Sequence, residues 1–212
     1  KIEIQSFCIM QEQEVIKILK DNLNFNQEAI DKLKIFSNSL IKANQNHNFI
    51  SRNTESIIWE RHILDSAQLV KFIDFNQGPM ADLGTGAGFP GIVLAIFNQN
   101  KAFHVKLFEK SKVKRNFLEK VIESLSINAT ISSNIYENEI NAKTIVCRAF
   151  KKLESVIQVS REIVKKPHRL IILKGQNAQK EAEKAFKKYK YTYKLENSMT
   201  NKYSKIIIMK FD

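Results

Sequence analysis

Apolar positions recur along this chain with two different periods, and the change from one to the other falls near residue 75. Before it the step is helical. Ala29, Leu33, Phe36 and Leu40 share one predicted face, with Asn26 placed to cap the helix. A polar break, KANQNHNFISRN (42–53), separates that segment from TESIIWERHILDSAQLVKFI (54–73). There Trp59, Ile63, Ala67, Val70 and Ile73 fall along one side of a second predicted helix. Residues 1–75 contain neither glycine nor proline, whereas all six glycines and all three prolines lie at or beyond Gly78.

From Pro79 onward short apolar runs alternate with helical ones. MADL (80–83), HVKLF (104–108), ATISS (129–133), TIVCR (144–148) and RLIILK (169–174) read as strands. The helices predicted between them are PGIVLAIF (90–97), KVKRNFLEKVIESL (112–125) and a segment carrying Leu153, Val156, Ser160 and Ile163; AEKAFKKY (182–189) follows the fifth strand. In the second of these Val113, Phe117, Val121 and Leu125 share a side. Such alternation predicts a parallel sheet with helices on both faces. YTYKLE (191–196) and KIIIMKF (205–211) have no helix between them and are expected to pair as an antiparallel hairpin.

The stretch MADLGTGAGFPGIVLAIF (80–97) joins the first strand to the first of these helices and holds two overlapping glycine patterns. From Asp82 it reads D-x-G-x-G-x-G, a loop that holds S-adenosylmethionine (SAM); from Gly86 it reads G-x-G-x-x-G, a dinucleotide fingerprint. Either brings backbone amides to a ligand at a helix N-terminus. In the SAM register Gly84 directly follows the apolar strand, Asp82 near the strand end is expected to face the crevice, and Pro90 suits the first helical turn. Glu109 can take the ribose hydroxyls of either ligand and does not discriminate. The C-terminal hairpin does, as does the lack of chain for a second substrate domain. The fold class expected is therefore α/β, a Rossmann-like class I SAM-dependent methyltransferase sheet, mostly parallel with an antiparallel C-terminal hairpin. A helical cap (1–75) and a SAM-binding core (76–212) are expected to form one compact unit, with SAM as the cofactor.

Charge adds a partner class. Lys and Arg number 34 against 22 Asp and Glu, a formal net charge of +12 in 212 residues. That surplus favours anionic partners such as nucleic acid, although richness in Lys, Asn and Ile points to compositional bias as one source. The longest apolar run, IVLAIF (92–97), is too short to span a bilayer, and Glu3, Glu12 and Glu14 argue against a secretory signal. Cys8 and Cys147 give neither a disulfide framework nor a metal spacing, so the expected setting is a reducing cytoplasm without a metal; no membrane partner is expected, and the chain is expected to be a monomer.

The position after the fourth strand, where base-amine methyltransferases carry an Asn/Asp-Pro-Pro-aromatic clamp, reads VCRAFKKL and has no proline. Cys147 lies where a pyrimidine carbon-5 enzyme needs its nucleophile, but TIVC reads first as a buried strand and its cysteine as a small hydrophobe. A target needing no deprotonation suits such a site. Nitrogen 7 of guanine has a free lone pair and needs only alignment with the methyl group.

NFIS (48–51), RHILDS (61–66), DLGTGAGFPGI (82–92), EK (109–110), CRAF (147–150) and LKGQ (173–176) occur in that order. Together they resemble the RsmG (GidB) family of bacterial 16S ribosomal RNA guanine-N7 methyltransferases. The resemblance implies SAM-dependent methyl transfer to guanine 527 in the 530 loop, with 16S rRNA or the small ribosomal subunit as partner. It places SAM contacts on Gly84 and Phe89, on the pair Ile135–Tyr136 and on Arg148. SNIYEN (133–138) departs from the Arg-x-Glu-like pattern of many members.

The loop reading adds Asp82, Gly86, Gly88 and Glu109 to the cofactor residues, and the candidate catalytic groups are Arg148, Lys174 and His62. Arg148 suits the SAM carboxylate or an rRNA phosphate, or else a salt bridge to Asp82 or Glu109. Lys174 ends the fifth strand and is expected to face the crevice. His62 and Asp65 share a helix face, lining the pocket or bonding between helices, while Asn48 and Ser51 close the pocket or cap the helix. KSKVKR (110–115), KK (151–152), KKPHR (165–169) and KKYKYTYK (187–194) are candidate phosphate contacts, and Tyr189, Tyr191 and Tyr193 suit base stacking. A SAM-dependent methyltransferase of another RNA or of a small molecule, an NAD-dependent oxidoreductase and a non-catalytic RNA-binding module are the competing readings.

Overall fold

The computed structural model of the chain describes residues 10–136, 140–188 and 192–212. One sheet is built from β1 (Met80–Leu83), β2 (Val105–Phe108), β3 (Ala129–Ser132), β4 (Thr144–Arg148), β5 (His168–Lys174), β6 (Tyr193–Asn197) and β7 (Lys205–Phe211). Their spatial order is β3-β2-β1-β4-β5-β7-β6. The first five run parallel, and β7 is antiparallel to both β5 and β6, as the missing helix predicts. The strand order reverses between β1 and β4, which opens a crevice at their carboxyl ends.

Alternate residues of the strands serve two cores, as a period of two requires. Met80, Val146 and Ile171 pack with α1 (Glu12–Leu23), α2 (Gln27–Asn44), α4 (Gly91–Phe97) and α5 (Lys112–Leu125). Ala81, Ile145, Cys147 and Ile172 pack with α6 (Leu153–Ile163) and α7 (Ala178–Lys188) on the opposite face. Helix α2 begins as its sequence predicts: Asn26 accepts the Ala29 N–H at 2.8 Å, and Ala29, Leu33, Phe36 and Leu40 are all buried. A cap of this kind is worth about 0.5–2 kcal/mol.

Two predicted faces are kept in part: Trp59, Ile63, Ala67 and Ile73 are buried as expected, as are Val121 and Leu125, while the rest of each stripe differs. Residues 59–72 are not one regular helix: a π-helical stretch Trp59–Leu64 runs into the short α3 (Asp65–Ala67) and a 3-10 stretch Gln68–Phe72. Widening and then tightening the turn changes which residues point inward, so Leu64 and Leu69 are fully buried while Val70 is only half-buried. In α5 the inward stripe is Leu118, Val121 and Leu125. Val113 is exposed, and Phe117 sits in a groove against the end of α2, its ring 5.0 Å from that of Phe49. Pro90 caps α4 instead of entering its first turn.

Candidate functional site

At the carboxyl ends of β1, β2 and β4 lies a cavity of about 570 Å³, a size usual for small-molecule sites. The glycine loop contributes Gly84, Gly86 and Phe89, the β2 end Glu109, and the segment after β3 Ile135 and Tyr136. Arg148 enters from the end of β4 and His62 from the helical cap. Those eight predicted residues converge. Asp82, Gly88 and Lys174 do not reach the cavity wall.

The loop is shaped by backbone that favours glycine. Gly84 has φ +70°, and a Cβ there would overlap the Phe150 ring. Gly88, at φ +103°, faces the other way: a Cβ would stand 2.7 Å from Ile92 Cγ1 and 2.9 Å from Leu118 Cδ2, so this glycine serves packing beneath the loop. Glu109 ties the loop to α5. Its Oε2 accepts the Gly86 N–H at 3.0 Å and its Oε1 the Ser111 N–H at 2.7 Å. Each oxygen keeps a second acceptor site for a ligand hydroxyl.

Asp82 corrects the expectation that it faces the crevice. It shares strand parity with Met80, so its side chain lies on the α4 face, fully buried, where Oδ2 accepts the Gly91 N–H at 2.8 Å. Burial pushes its pKa up to about 6 despite the neighbouring Thr85 hydroxyl and that amide. The close approach needs Gly91, where a Cβ would lie 2.6 Å from Asp82 Oδ2. Thr85, whose hydroxyl is buried beside the Asp82 carboxylate, lines the cavity.

Arg148 is the centre of the polar wall, and its carboxylate partner is Asp65, not Asp82 or Glu109. Nη1 lies 3.4 Å from Asp65 Oδ2 and donates to the Arg61 carbonyl at 3.2 Å; Nη2 lies 2.9 Å from His62 Nδ1. Three of its five N–H donors are thus engaged. The guanidinium carbon sits 5.1 Å from the centre of the Phe89 ring, and His62 stacks on the same ring at 5.0 Å. Burial lowers the Arg148 pKa, and Asp65 opposes the shift. His62 is pushed down to about 3 by burial and then by the Arg148 and Arg61 charges, so near neutral pH the imidazole beside Arg148 is uncharged. Cys147 is fully buried, and burial with the Asp82 charge raises its thiol pKa, which removes it as a nucleophile.

Lys174 does not face the crevice. Its ammonium pairs with Glu181 at 2.8 Å and donates to the Lys151 carbonyl at 2.9 Å, fixing the start of α6 and α7 to the strand end. Phe186 and Tyr193 stack 3.7 Å apart, so Tyr193 is engaged in packing; Tyr189 and Tyr191, like Cys8, lie outside the described residues. The KKPHR segment lies at the amino end of β5, across the sheet from the cavity, with His168 buried against Ser160 Oγ at 2.7 Å.

Several site residues escaped the sequence reading. Phe49 and Ile50, not Asn48 and Ser51, line the cavity, and Asn44 holds them there. Its Oδ1 accepts the N–H groups of Phe49 at 2.7 Å and Ile50 at 3.0 Å, and its Nδ2 donates to the Ile50 carbonyl at 3.0 Å. The available signal was an Asn ending α2 just ahead of two apolar residues in a polar stretch. Ser51 caps the following turn with its carbonyl, which accepts from Thr54. Phe150 also lines the cavity, carried there by Ala149 at φ +51°. Among the described residues no helix is long and apolar enough to cross a membrane, and no group of three or more His, Cys, Asp or Glu is placed to hold a metal.

Five parallel strands closed by the antiparallel β6–β7 hairpin, with a cavity at the switch point and a glycine loop after β1, are the fold of the class I SAM-dependent methyltransferases. The family model described as rRNA small subunit methyltransferase G (GidB) matches residues 29–207, and the chain belongs to that family. Ribosomal RNA small subunit methyltransferase G of Pelagibacter ubique is 33% identical over 198 residues, covering 91% of this chain and 93% of its own. The protein of the same name from Rickettsia felis is 37% identical over 182 residues, covering 85% and 93%. Among solved structures, a SAM dependent methyltransferase from Aquifex aeolicus matches with a TM-score of 0.58 at 14% identity, over 82% of this chain and 98% of that one. P. horikoshii TYW2 in complex with MeSAdo matches with a TM-score of 0.50 at 12% identity, over 70% and 61%. At such identities these last two likenesses are of fold alone.

Proposed function

We propose that this chain transfers a methyl group from SAM to nitrogen 7 of guanine 527 in the 530 loop of 16S rRNA. SAM, when bound, supplies an electrophilic methyl group on a sulfonium. The cavity suits it: each Glu109 oxygen keeps an acceptor site for a ribose hydroxyl, and buried Ile135 with exposed Tyr136 offers flanks for a flat ring. The Arg148 guanidinium at the cavity wall suits the carboxylate of the methionine part or a phosphate of the RNA. Lys110, Lys114 and Lys151 at the cavity edge suit the RNA backbone.

The observation that carries the nitrogen-7 reading is the state of His62. Both of its ring nitrogens are engaged, and it stays neutral down to about pH 3. A site whose histidine takes no proton favours a target with a ready lone pair, where alignment supplies most of the rate. The test is to incubate the protein with SAM and small-subunit particles lacking the modification, then map borohydride- and aniline-induced strand cleavage, which reports N7-methylguanine. Cleavage at one guanine of the 530 loop is expected. Absence of cleavage there, or methyl transfer to a protein or small molecule instead, would refute the proposal.

A further inference from the structure

Arg148 is fixed from outside the cavity as well as from its wall. Asp65 turns Oδ2 toward Arg148 Nη1, while its Oδ1 accepts from Thr200 Oγ1 at 2.9 Å and from Gln68 Nε2 at 3.1 Å. Thr200 belongs to the turn between β6 and β7, and that turn is itself anchored. The Met199 N–H donates to Gln68 Oε1 at 2.8 Å, Gln68 Nε2 reaches Ser198 Oγ at 3.1 Å, and the Thr200 N–H reaches the same hydroxyl at 3.2 Å. Asp65, Gln68 and Ser198 are buried, and neither they nor Thr200 line the cavity.

The physical consequence concerns rotation. The terminal torsion of an aspartate is soft, so a carboxylate with one unsatisfied oxygen can turn and present either oxygen to its ion partner. The Thr200 hydroxyl on Oδ1, aided by a Gln68 amide group that also serves the Asp65 carbonyl at 2.9 Å and Ser198, restrains that rotation and leaves Oδ2 for the guanidinium. A buried arginine depends strongly on such pairing, because an uncompensated buried charge is costly. At 3.4 Å the Asp65–Arg148 contact is long for a hydrogen bond, so small rotations of the carboxylate change it appreciably.

We infer that Asp65 and the Ser198–Thr200 turn are positioning residues for Arg148, so that the C-terminal hairpin sets the direction of a side chain at the cavity it does not itself reach. The inference rests on the reading above, in which Arg148 meets the cofactor or the RNA. The test uses the full chain with Thr200→Val, which removes the hydroxyl at nearly constant volume, and Thr200→Ser, which keeps it. Three quantities are measured: the Arg148 guanidinium signals in nitrogen-15 NMR of the free protein, SAM affinity by calorimetry, and kcat/KM for methyl transfer to small-subunit particles.

Thr200→Val is expected to shift or broaden the Arg148 signals and to lower SAM affinity or kcat/KM by roughly fivefold, while Thr200→Ser stays near the wild type. In an Arg148→Ala background Thr200→Val should cost nothing further, a result that a general loosening of the fold does not produce. The inference is overturned if Thr200→Val leaves both the signals and kcat/KM unchanged while Arg148→Ala is impaired. Equal losses from Thr200→Val in both backgrounds overturn it too. If Arg148→Ala binds SAM and transfers methyl as the wild type does, it is the reading of Arg148 as a ligand-facing group that falls, and the inference with it.

Discussion

Nη2 of Arg148 lies 2.9 Å from Nδ1 of His62. A guanidinium has donors only and does not give up its charge, so Nδ1 is the acceptor and the imidazole proton sits on Nε2. That proton goes to Thr54 Oγ1 at 2.9 Å, and Thr54 gives its own to the Ser51 carbonyl at 2.8 Å. The tautomer of His62 is therefore set by the arginine at one end and a backbone carbonyl at the other.

The first prediction follows from that relay. The unfolded chain titrates this histidine near 6.5, whereas the folded chain keeps it neutral down to about 3. Between those values the unfolded state binds more protons. The stability associated with neutral His62 is complete above pH 6.5 and is lost as pH falls toward 3, by about 1.4 kcal/mol per pH unit for this one group. His62→Gln keeps an acceptor and a donor but cannot titrate. Denaturant unfolding across this range should show a shallower acid slope for the variant, and identical slopes would contradict the assignment.

Gly84 and Gly86 separate conformation from contact. Both have positive φ, +70° and +61°, so alanine at either position strains the backbone by roughly 1–2 kcal/mol. At Gly86 the new Cβ meets nothing nearer than the Gly84 carbonyl at 4.0 Å, whereas at Gly84 it must displace the Phe150 ring from the cavity wall. Gly84→Ala should lower Tm more than Gly86→Ala and weaken the stabilisation that added SAM provides. Thermal unfolding with and without SAM measures both effects, and equal losses would show that Phe150 yields freely.

The sheet was legible because each strand is a short apolar run bounded by polar or glycine positions, and the hairpin because no helical period separates YTYKLE from KIIIMKF. The direction of Asp82 was legible as well, since it shares parity with Met80, but the glycine motif drew it toward the ligand. What no local pattern carries is packing across the chain. Arg148 meets Asp65 from 83 positions away, and Lys174 finds Glu181 only because α7 folds back on the end of β5. Asn44 looks like a solvated helix end until the chain turns inward at Phe49. Changes of helical pitch at 59–72 likewise have no period of their own to announce them.

Asp82 yields a prediction in which two substitutions diverge. Asp82→Ala leaves the Gly91 amide buried without its acceptor, which costs about 1–3 kcal/mol. Asp82→Asn keeps a carbonyl oxygen for that amide and removes a charge that burial disfavours. Because burial raises the pKa from 3.8 to about 6, the folded state holds this proton longer than the unfolded state. The favourable contribution is full below 3.8 and lost as pH rises through about 6. Well above that pH, Asp82→Asn should be at least as stable as the wild type while Asp82→Ala is clearly less so. Urea unfolding of the three proteins decides it, and an asparagine variant as weak as the alanine one would show that the ionised carboxylate itself is needed.

Lys110, Lys114 and Lys151 edge the cavity, and among the described residues none of the three is in a salt bridge. If they hold RNA phosphates, binding releases counterions, and the logarithm of affinity falls linearly with the logarithm of salt concentration. Each lysine changed to glutamine should then reduce that slope by about 0.7 for a single strand, so the triple variant loses about 2. Lys165 and Lys166 lie at the amino end of β5, across the sheet from the cavity, and contribute the same kind of charge to the total. Their double substitution should leave the slope within about 0.3 of the wild type. Filter binding of a 530-loop RNA over a salt series distinguishes the two. Equal slopes lost per charge at both places would mean that the net charge of +12 acts diffusely, and that the cavity edge has no privileged part in holding the strand.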